Sequence, residues 1–384
     1  MRDSCRSAMI SRTRPVDPQA MDVSMSSLVP SKPILDQCLL AGFAAAGVAV
    51  AESSRHEASL NSWLESGQHG EMGWLERNVD VRLDPRQLVP DARSVIVVAD
   101  RYDGSPDADL PPRSGRIARY ARGRDYHTHM KKRLHQVSDQ LQSMHPDEVF
   151  RACVDTAPIL EREVAAGAGL GGIGKHTLLI EPSVGSWLLL GEVVTTLGIE
   201  PTGTGQRVDP CGTCTRCIDA CPTDAITPWS VDATRCVSYL TIEHRSDIDS
   251  SLHSGIGDWI FGCDICQEVC PHNQPTRLTS STPTHEAYAP RTSGRDDSGA
   301  SFDVRSVLDW TEEDRREAFT TSSMKRAKLD MIRRNAVIVA GNYLNAVEDE
   351  DLRSRLIEIA GDETEPPLVR QAAIEITERT RESR

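Results

Sequence analysis

The sequence predicts a mixed fold of the α+β or α/β class, followed by a cysteine-rich domain and a helical C-terminal domain. A β-branched run typical of a strand, SVIVVADRY from Ser94, lies among segments with helical spacing. Eight cysteines fall within residues 211–270, and three helix-type segments follow Pro290. We therefore expect a disordered extension over residues 1–30, an α/β domain over 31–200, the cysteine-rich domain over 201–290, and a linker with the helical domain over 291–384.

The N-terminal domain alternates helical and strand patterns. Residues 33–50, PILDQCLLAGFAAAGVAV, have helical spacing. The segment from Arg122 places apolar and charged residues at intervals of three and four, which predicts an amphipathic helix with a basic N-terminal half. That helix is either a solvated face or a nucleic-acid contact. A strand ending near Asp155 and a helix follow, and SWLLLGEVVTTLGI from Ser186 predicts a buried strand or strand pair.

Composition sets the broad class of the protein. The chain has 384 residues, and single cores stop growing at roughly 250 to 300 residues, so several domains are expected. No apolar run approaches the ~18 residues of a membrane span, and the N-terminus lacks the apolar segment of a secretory signal. Eleven cysteines without an export signal favour free thiols in a reducing, cytoplasmic compartment. A net charge of −14 argues against a nonspecific polyanion binder but allows local basic patches.

Eight of the eleven cysteines belong to one constellation. In chain order they are Cys211, Cys214, Cys217, Cys221, Cys236, Cys263, Cys266 and Cys270. The first four form a C-x2-C-x2-C-x3-C-P run, the ferredoxin pattern in which three thiolates of one loop bind a [4Fe-4S] cluster and the fourth reaches a second cluster. The later set is similar with its first member displaced. The spacing therefore predicts a ferredoxin-type domain with two [4Fe-4S] clusters.

The cross-over rule uses all eight thiolates. One cluster takes Cys211, Cys214, Cys217 and Cys270, and the other takes Cys221, Cys236, Cys263 and Cys266. A pair of four-cysteine zinc sites is the alternative, since C-x2-C pairs also suit zinc. Zinc ribbons need neither a third cysteine two residues on nor a proline after a fourth, so the pattern favours iron-sulfur clusters over zinc, and over disulfides.

A glycine cluster, GLGGIGKH from Gly169 to His176, satisfies G-x-G-x-x-G and nearly satisfies the P-loop pattern, which His176 breaks. Both motifs bind phosphate only where a strand feeds the loop and a helix leaves it. Here a helix-like segment precedes the glycines and the strand-like TLLI follows them. The inverted context favours a close backbone approach to some other large ligand over a nucleotide site.

The C-terminal region shows a weak internal repeat. Its segments MKRAKLDMIRRNAVIVAGNYL, DEDLRSRLIEIAG and PPLVRQAAIEITERT all have helical spacing. Arg334-Asn335-Ala336 and Arg370-Gln371-Ala372 each open an apolar helical stretch. This predicts a short HEAT-like array that stacks helices into a curved surface. A plain helical cap is the alternative.

Taken together, several segments resemble one known family. They are HGEMGWLER (69–77), RYARGRDYH (119–127), VDTAPILER (154–162), GLGGIGKHTLL, RCVSYLTIEHR around Cys236, GCDICQEVCPHN and the eight-cysteine set. Their order resembles the epoxyqueuosine reductases, cobalamin-dependent iron-sulfur enzymes that complete queuosine at the wobble position of certain transfer RNAs. The likeness covers about residues 33–384. The N-terminal extension has no counterpart in it, and only some members share the C-terminal repeats.

The resemblance implies both fold and reaction. It implies that residues 31–200 form a cobalamin-binding catalytic domain related to reductive dehalogenases, which holds cobalamin over the clusters with its lower ligand displaced and no histidine on cobalt. An epoxide on the cyclopentane ring becomes an alkene, with two electrons and two protons consumed and water released. Clusters deliver electrons singly, and low-valent cobalt attacks or reduces the strained ring. The expected cofactors are thus cobalamin and two [4Fe-4S] clusters.

The resemblance also implies site residues. Asp155 matches the family's proton donor, for which burial in an apolar setting would have to raise the carboxyl pKa. From the pattern alone, Asp155 could instead cap the following helix. Tyr126 and Arg162 match polar residues near the substrate pocket. The implied cobalamin contacts are Arg77, Asp155, Leu179, Leu190, Glu243, Cys263 and Asp264.

The expected partners follow from the same resemblance. Transfer RNA needs phosphate neutralisation, and the local basic clusters are Lys131, Lys132, Arg133, Lys325, Arg326, Lys328, Arg333 and Arg334. Of these, we expect Arg333 and Arg334 to bring the helical repeats into the tRNA footprint. An external low-potential donor of flavodoxin or ferredoxin type would supply electrons. We expect a monomer.

Two other functions fit parts of the sequence. A reductive dehalogenase-like corrinoid enzyme would use the same cofactors, but its usual export needs a twin-arginine signal followed by an apolar stretch, and the N-terminus shows neither. A ferredoxin-like electron-transfer protein would bind iron and no corrinoid. A corrinoid absorbance band in the purified protein separates the second alternative from the main hypothesis.

Overall fold

The structure is a computed structural model that describes residues 28–102, 109–204, 209–274, 284–292, 295 and 298–382. The disordered extension predicted for residues 1–30 lies almost wholly outside these ranges. At its end, Val29 forms a β-bridge with Ile199. No helix within the described ranges is long and apolar enough to cross a membrane.

The elements alternate along the chain. The strands are β1 (Ala45–Val50), β2 (Ser94–Arg101), β3 (Ser114–Ile117), β4 (Phe150–Cys153), β5 (Gly172–Ile173), β6 (Leu179–Ile180), β7 (Leu188–Thr195), β8 (Ile226–Thr227), β9 (Ser230–Val231), β10 (Trp259–Phe261) and β11 (Ser301–Asp303). The helices are α1 (Ser31–Leu40), α2 (Glu57–Glu65), α3 (Val79–Leu83), α4 (Pro85–Leu88), α5 (Tyr126–Met144), α6 (Glu161–Gly167), α7 (Arg216–Asp219), α8 (Val237–Ile242), α9 (Ser250–Ile256), α10 (Ile265–Glu268), α11 (Val304–Leu308), α12 (Glu312–Phe319), α13 (Leu329–Leu344), α14 (Glu350–Gly361) and α15 (Pro367–Glu382).

The N-terminal domain is built on an antiparallel sheet with the strand order β1-β2-β7-β4. Its centre is β2, whose residues from Ser94 to Asp100 are all buried. Side chains of a strand alternate between faces, so Ile96 and Val98 pack with α1 and α5, while Val95 and Val97 pack with α6. This α+β arrangement places helices on both faces of the sheet.

The helix predicted for residues 33–50 is only half correct. Helix α1 ends at Leu40, Gly42 adopts φ +89°, and Ala45–Val50 forms β1 against β2. The small side chains of β1 allow close packing, because a Cβ on Gly47 would lie 2.6 Å from the carbonyl oxygen of Ala168. Apolar spacing does not distinguish a buried strand of small residues from a helix, so the pairing with β2 decides.

A second sheet ties the three predicted domains together. Its order is β10-β3-β11, with one strand from each domain. The linker predicted for residues 292–301 runs into β11 at Ser301, and its residues 293–294 and 296–297 lie outside the described chain. One hydrophobic core continues from Ile117 through Trp259 to the helices α13–α15. The three segments that the predicted boundaries at residues 200 and 290 separate thus share one hydrophobic core.

The three C-terminal helices were predicted correctly. Helix α13 packs against both α14 and α15, and on its other side against α8, α9 and β10 of the cysteine-rich segment. The recurring tripeptides that begin at Arg334 and Arg370 lie in α13 and α15, which pack directly on each other. Because α13 is surrounded, it serves as the core helix of the C-terminal half.

Three arginines predicted to contact tRNA phosphates are buried instead. Arg334 is fully buried and donates hydrogen bonds to the carbonyl oxygens of Leu240, His244 and Ser246, at 2.8, 2.9 and 2.6 Å. Arg333 forms an ion pair with Glu365 at 2.8 Å. Arg133 is likewise buried and bonds to the Asp100 carboxylate. The prediction that Arg333 and Arg334 reach tRNA is therefore wrong, because a basic cluster in the sequence does not show which way each helix faces.

Replacement of Arg334 by Ala should destabilise the protein. The change leaves the buried carbonyl oxygen of Leu240 and two half-buried carbonyl oxygens without their donor. An unsatisfied buried acceptor costs about 1–3 kcal/mol, so we expect the free energy of unfolding to fall by about 2 kcal/mol or more. Denaturant unfolding followed by tryptophan fluorescence measures this. Arg316→Ala, on the exposed face of α12, is the matched control. Equal stability of the two variants would contradict the assignment.

Candidate functional site

Asp155 lies two residues beyond the end of β4, and we call the region around its carboxylate the recess. Its backbone is left-handed, with φ +51°. About 52% of its side chain is open to solvent, yet the protein around the carboxylate is dense enough to oppose its ionisation. Helix α6 begins six residues later, at Glu161, and the residue before it provides no side-chain cap. The helix-cap alternative for Asp155 is therefore wrong, and its carboxylate is free to act elsewhere.

The carboxylate of Asp155 is paired with a histidine. His127 lies in the first turn of α5, and its Nε2 atom is 2.8 Å from Asp155 Oδ2, while its Nδ1 atom is 2.8 Å from Asp125 Oδ1. Asp125 also caps α5 by accepting the backbone N–H of His127. Burial opposes the charge on His127, but the hydrogen bonds and charges of the two carboxylates raise its pKa to about 9. At neutral pH, His127 is therefore an imidazolium that donates to both aspartates.

This pairing reverses the expectation of a raised pKa for Asp155. Burial does raise it, but the hydrogen bond and charge of His127, with the charges of Arg162 and Arg326, prevail and lower the pKa of Asp155. The proton of the pair thus rests on His127. The sequence motif RGRDYH contains Asp125 and His127, but the spacing of these residues alone does not show that β4 ends opposite them.

The two other predicted polar residues lie beside the pair. The Tyr126 ring is buried and stacks on the His127 imidazole with centroids 4.0 Å apart. Arg162 donates a hydrogen bond from Nη1 to the carbonyl oxygen of Thr177, at 3.1 Å. Its positive charge helps to lower the pKa of Asp155 and the pKa of His176. Both residues are therefore placed to orient groups at the recess.

Several predicted cofactor contacts converge on the partly buried Tyr120. Burial and the negative charges of Asp155, Asp264 and Glu243 raise its pKa well above the ordinary value. Glu243 is bonded in turn to Arg326. The convergence brings together residues from three separate segments, at 155, 243 and 264.

The remaining predicted contacts divide into two groups. Leu179 and Leu190 are buried in the apolar cluster on the α6 face of the sheet. Cys263 directly precedes Asp264 and follows Gly262. Gly262 has a φ of +73°, and a Cβ at this position would lie 2.5 Å from the Ala118 Cβ, so no side chain fits there. Arg77 is exposed on the loop that follows α2, and no described contact joins it to Asp155.

The glycine-rich loop bridges the recess and the cysteines. As predicted, a helix precedes it and strands follow it, with β5 and β6 forming a small hairpin. Lys175 donates its backbone N–H to Cys211 Sγ at 3.3 Å and its ammonium group to the carbonyl oxygens of Gly212 and Cys214, at 2.8 and 2.9 Å. The glycine loop therefore approaches the first cysteine loop closely, while the approach to a large ligand that the sequence favours stays a prediction.

His176, the next residue, is neutral and only partly satisfied. Burial and the charge of Arg162 lower its pKa to about 4. Its Nδ1 atom accepts the N–H of Leu178 at 3.2 Å, so the proton of the neutral ring is on Nε2. That donor is buried and has no hydrogen-bond partner among the described residues. Such an orphaned donor is costly unless a ligand accepts it.

The eight cysteines are free thiols in two neighbouring sets. Burial, together with the neighbouring Cys211, Cys270 and Cys214, raises the pKa of Cys217 to about 11. The neighbours of Cys266 are Cys236 and Cys221, together with Cys217 of the first set, while Cys263 faces Cys266 and Cys236. Crowded buried thiolates repel one another, so bound iron is needed to hold them ionised.

A fully buried acid and a half-buried acid escaped the sequence analysis. Glu192 lies in the middle of β7, and Glu161 opens α6 with its Oε1 accepting the backbone N–H of Asp155 at 2.5 Å. In sequence, Glu192 interrupts an otherwise apolar strand, LLLGEVVT, and that interruption is the one signal that could have found it.

Comparison with known proteins identifies the family. The family description "Epoxyqueuosine reductase QueG, DUF1730" matches residues 82–156, and "4Fe-4S double cluster binding domain" matches residues 210–273. An epoxyqueuosine reductase of Leadbetterella byssophila is 37% identical over 313 residues, which cover 80% of this chain and 98% of that protein. The chain belongs to the epoxyqueuosine reductase family. The resemblance found in the sequence and the preference for iron-sulfur over zinc are thereby confirmed.

Further relatives agree with this assignment. An epoxyqueuosine reductase of Xanthomonas campestris is 44% identical over 245 residues, covering 62% of this chain and 68% of that protein. A solved structure of an epoxyqueuosine reductase, with a tRNA-Tyr epoxyqueuosine-modified tRNA stem loop, superposes with a TM-score of 0.79. It is 27% identical, and the match covers 90% of this chain and 89% of that one. The α+β fold class with its cluster domain and helical C-terminus is confirmed.

The ion pair predicts the titration of His127. Because the folded protein raises this pKa from the ordinary 6.5 to about 9, protonated His127 stabilises the fold fully below pH 6.5, and this contribution disappears as the pH rises through about 9. In Asp155→Asn we expect the midpoint to fall, as measured by NMR of the labelled imidazole. Asp139→Asn, on the exposed side of the same helix, should leave it unchanged. A midpoint that ignores Asp155 would refute the pair.

Proposed function

We propose that this protein reduces epoxyqueuosine in tRNA to queuosine, converting the epoxide to an alkene with two electrons and two protons and releasing water. The observation that supports this proposal is the Asp155–His127 ion pair, an acid–base pair that lies in an open recess beside a double-cluster domain. The family's named activity and the solved relative with a modified tRNA stem loop support it. An opening epoxide develops alkoxide charge, so a proton donor must lie beside the ring oxygen.

The pair can supply that proton although Asp155 is ionised in the free protein. A ligand that fills the recess removes water, and loss of water disfavours separated charges. The proton then moves from His127 Nε2 across 2.8 Å to Asp155 Oδ2, which presents it to the ring oxygen. Asp125 holds the imidazole in place throughout. Tyr126 stacks on the imidazole ring, and Arg162 of α6 bonds to Thr177 beside the glycine loop; both help to fix the recess.

Cobalamin is the proposed partner of the recess. Three observations support the fit. The buried His176 Nε2–H has no acceptor among the described residues, Leu179 and Leu190 belong to the apolar cluster on the α6 face, and the charges of Asp155, Asp264 and Glu243 all act on Tyr120. We assign cobalamin contacts to these residues and to Cys263, with Arg77 at the rim. When bound, cobalamin supplies a strong reductant for the strained ring. The protein residues orient the substrate, exclude water and deliver the proton.

The cysteines are proposed to bind the clusters in the crossed pairing. Cys211, Cys214, Cys217 and Cys270 hold one cluster, and Cys221, Cys236, Cys263 and Cys266 hold the other. Since Cys263 adjoins Asp264, the second cluster is the one beside the recess. The first receives electrons from an external low-potential donor of flavodoxin or ferredoxin type.

A basic rim is proposed to receive tRNA. Lys325 and Arg326 are exposed on one turn. The charge of Lys325 helps to lower the pKa of Asp125, and the charge of Arg326 helps to lower the pKa of Asp155. Lys328, Lys131 and Lys132 are also exposed. Phosphate contacts at this mouth would direct the anticodon loop into the recess, with an affinity that falls as salt rises.

Replacement of Asp155 by Asn tests the reaction. Anaerobic incubation of the reconstituted protein with epoxyqueuosine-containing tRNA and a strong reductant should yield queuosine by nucleoside mass analysis. Asp155→Asn should retain iron and corrinoid and lose at least about a hundredfold in rate, the usual worth of a positioned acid. Asp139→Asn should react like the wild type. Full activity of Asp155→Asn would remove its role as the acid, and a wild type that forms no queuosine would refute the function.

Paired cysteine substitutions test the cluster assignment. Two cubane clusters hold about eight irons per chain. Cys211→Ser with Cys270→Ser should lose one cluster and keep about four irons, while Cys221→Ser with Cys270→Ser should lose both. Iron analysis and electron paramagnetic resonance of the reduced protein distinguish these outcomes. The opposite pattern would overturn the crossed pairing, and zinc in place of iron would overturn the clusters.

A further inference from the structure

Trp229 is an exposed indole in an unfavourable backbone conformation. It lies in the two-residue loop of the β8–β9 hairpin, and 51% of its surface is open to solvent. Pro228 precedes it, and Trp229 itself has a φ of +61°. Proline followed by a positive φ is the pattern of a type II turn, in which the second of these positions ordinarily holds glycine or asparagine. A bulky side chain there is costly, and the exposed ring recovers little of that cost by burial. Such outliers are typical of functional positions.

Hydrogen bonds connect Trp229 to the first cysteine loop. Its backbone N–H donates to the carbonyl oxygen of Lys175 at 3.0 Å, and its Nε1–H donates to the carbonyl oxygen of Ile173 at 3.3 Å. The backbone N–H of Lys175 donates in turn to Cys211 Sγ at 3.3 Å. The ammonium group of Lys175 lies 5.7 Å from the centre of the indole ring and bonds to the carbonyl oxygen of Gly212. The exposed ring therefore rests on the segment that contacts a proposed cluster ligand.

The first cysteine loop is also the more exposed of the two. The residues between Cys263 and Cys270 are all buried or half-buried, whereas every non-cysteine residue between Cys211 and Cys217 is exposed. A protein that delivers electrons must approach a cluster closely, because electron transfer slows with distance. The exposed indole and the exposed residues of the first loop offer such an approach. We call them together the Trp229 surface, formed by Trp229, Gly212, Thr213, Thr215 and Arg216.

We propose that the Trp229 surface is the docking site of a flavodoxin-type electron donor, with the indole packed against the exposed edge of the flavin. This rests on the proposed epoxide reduction, which takes its electrons from outside the chain. A flavin is flat and aromatic, and an indole packs favourably on such a ring. A ferredoxin meets its partner through an iron-sulfur cluster, which offers no aromatic ring. Arg216 adds a positive charge that complements the anionic reduced flavin.

Each encounter transfers one electron. The electron leaves the anionic reduced flavin and enters the cluster held by Cys211, so the flavin is oxidised and the cluster is reduced, and no proton is transferred. Two encounters supply the two electrons of the reaction. The hydrogen bonds from Trp229 through Lys175 to Cys211 provide a short connection between the docked donor and the cluster. Because the N–H groups of this connection belong to the backbone, they remain when the side chain of Trp229 is changed.

Reduction of the clusters by a flavodoxin tests the surface. The oxidised holoprotein is mixed anaerobically with reduced flavodoxin, and cluster reduction is followed by stopped-flow absorbance and electron paramagnetic resonance as the donor concentration rises. In Trp229→Gly, which suits the left-handed backbone, the donor concentration for half-maximal rate should rise at least about tenfold, as expected for loss of an aromatic anchor. The limiting rate should stay unchanged, because the backbone connection remains. Trp229→Phe keeps an aromatic ring and should resemble the wild type.

Two controls separate docking from damage to the clusters. Trp74→Ala removes the other well-exposed indole, which lies on the loop after α2 beside Arg82 and Arg326, and it should react with flavodoxin like the wild type. Dithionite is a small reductant that needs no docking surface. It should therefore reduce the clusters of all these variants at the same rate.

Wild-type kinetics of Trp229→Gly toward flavodoxin would overturn the proposal. Slower reduction of this variant by dithionite would indicate a structural role and would overturn it as well. A wild type that accepts electrons from a ferredoxin but not from a flavodoxin would refute the flavin partner. Failure of the proposed function gives a different result, in which the dithionite-reduced wild type forms no queuosine although the flavodoxin kinetics follow the expected pattern.

Discussion

The contact on which the site depends is the 2.8 Å hydrogen bond between His127 and Asp155. Its two ends come from different elements, the start of α5 and the residue just beyond β4. The antiparallel pairing of β4 with β7, and the packing of α5 on that sheet, bring them together. An ion pair in a recess is worth more than one in open water because screening is weaker there. The same fold thus creates the ion pair and the recess in which it lies.

Three buried ionisable side chains of this protein differ in their hydrogen-bond partners. Arg334 is satisfied by carbonyl oxygens, Arg133 by a carboxylate, and Glu192 by neither. The first two stabilise contacts between segments, since each links elements far apart in sequence. An unsatisfied acid in a well-packed strand contributes nothing of that kind. Its neutral form is the least costly state of that side chain.

The glycine loop shows how one segment can serve two centres. Lys175 ties the loop to the first cysteine loop, while Thr177 of the same turn receives Arg162 from the recess. A displacement of either centre would therefore be transmitted to the other through a few residues. This rigid connection suits electron transfer, which is sensitive to the distance between donor and acceptor.

The sequence by itself determined the iron-sulfur domain, the family and the long elements, because cysteine spacing and the apolar periods of β2, α5 and α13 are local properties. The motif RYARGRDYH also indicated Tyr126, and the motif VDTAPILER indicated Asp155 and Arg162. Only the tertiary structure decided that Arg333 and Arg334 face the core, that residues 45–50 pair as a strand, and that His127 holds the proton of Asp155. Those outcomes depend on which distant surfaces meet, and on the burial and charge that meeting creates, which no local pattern encodes.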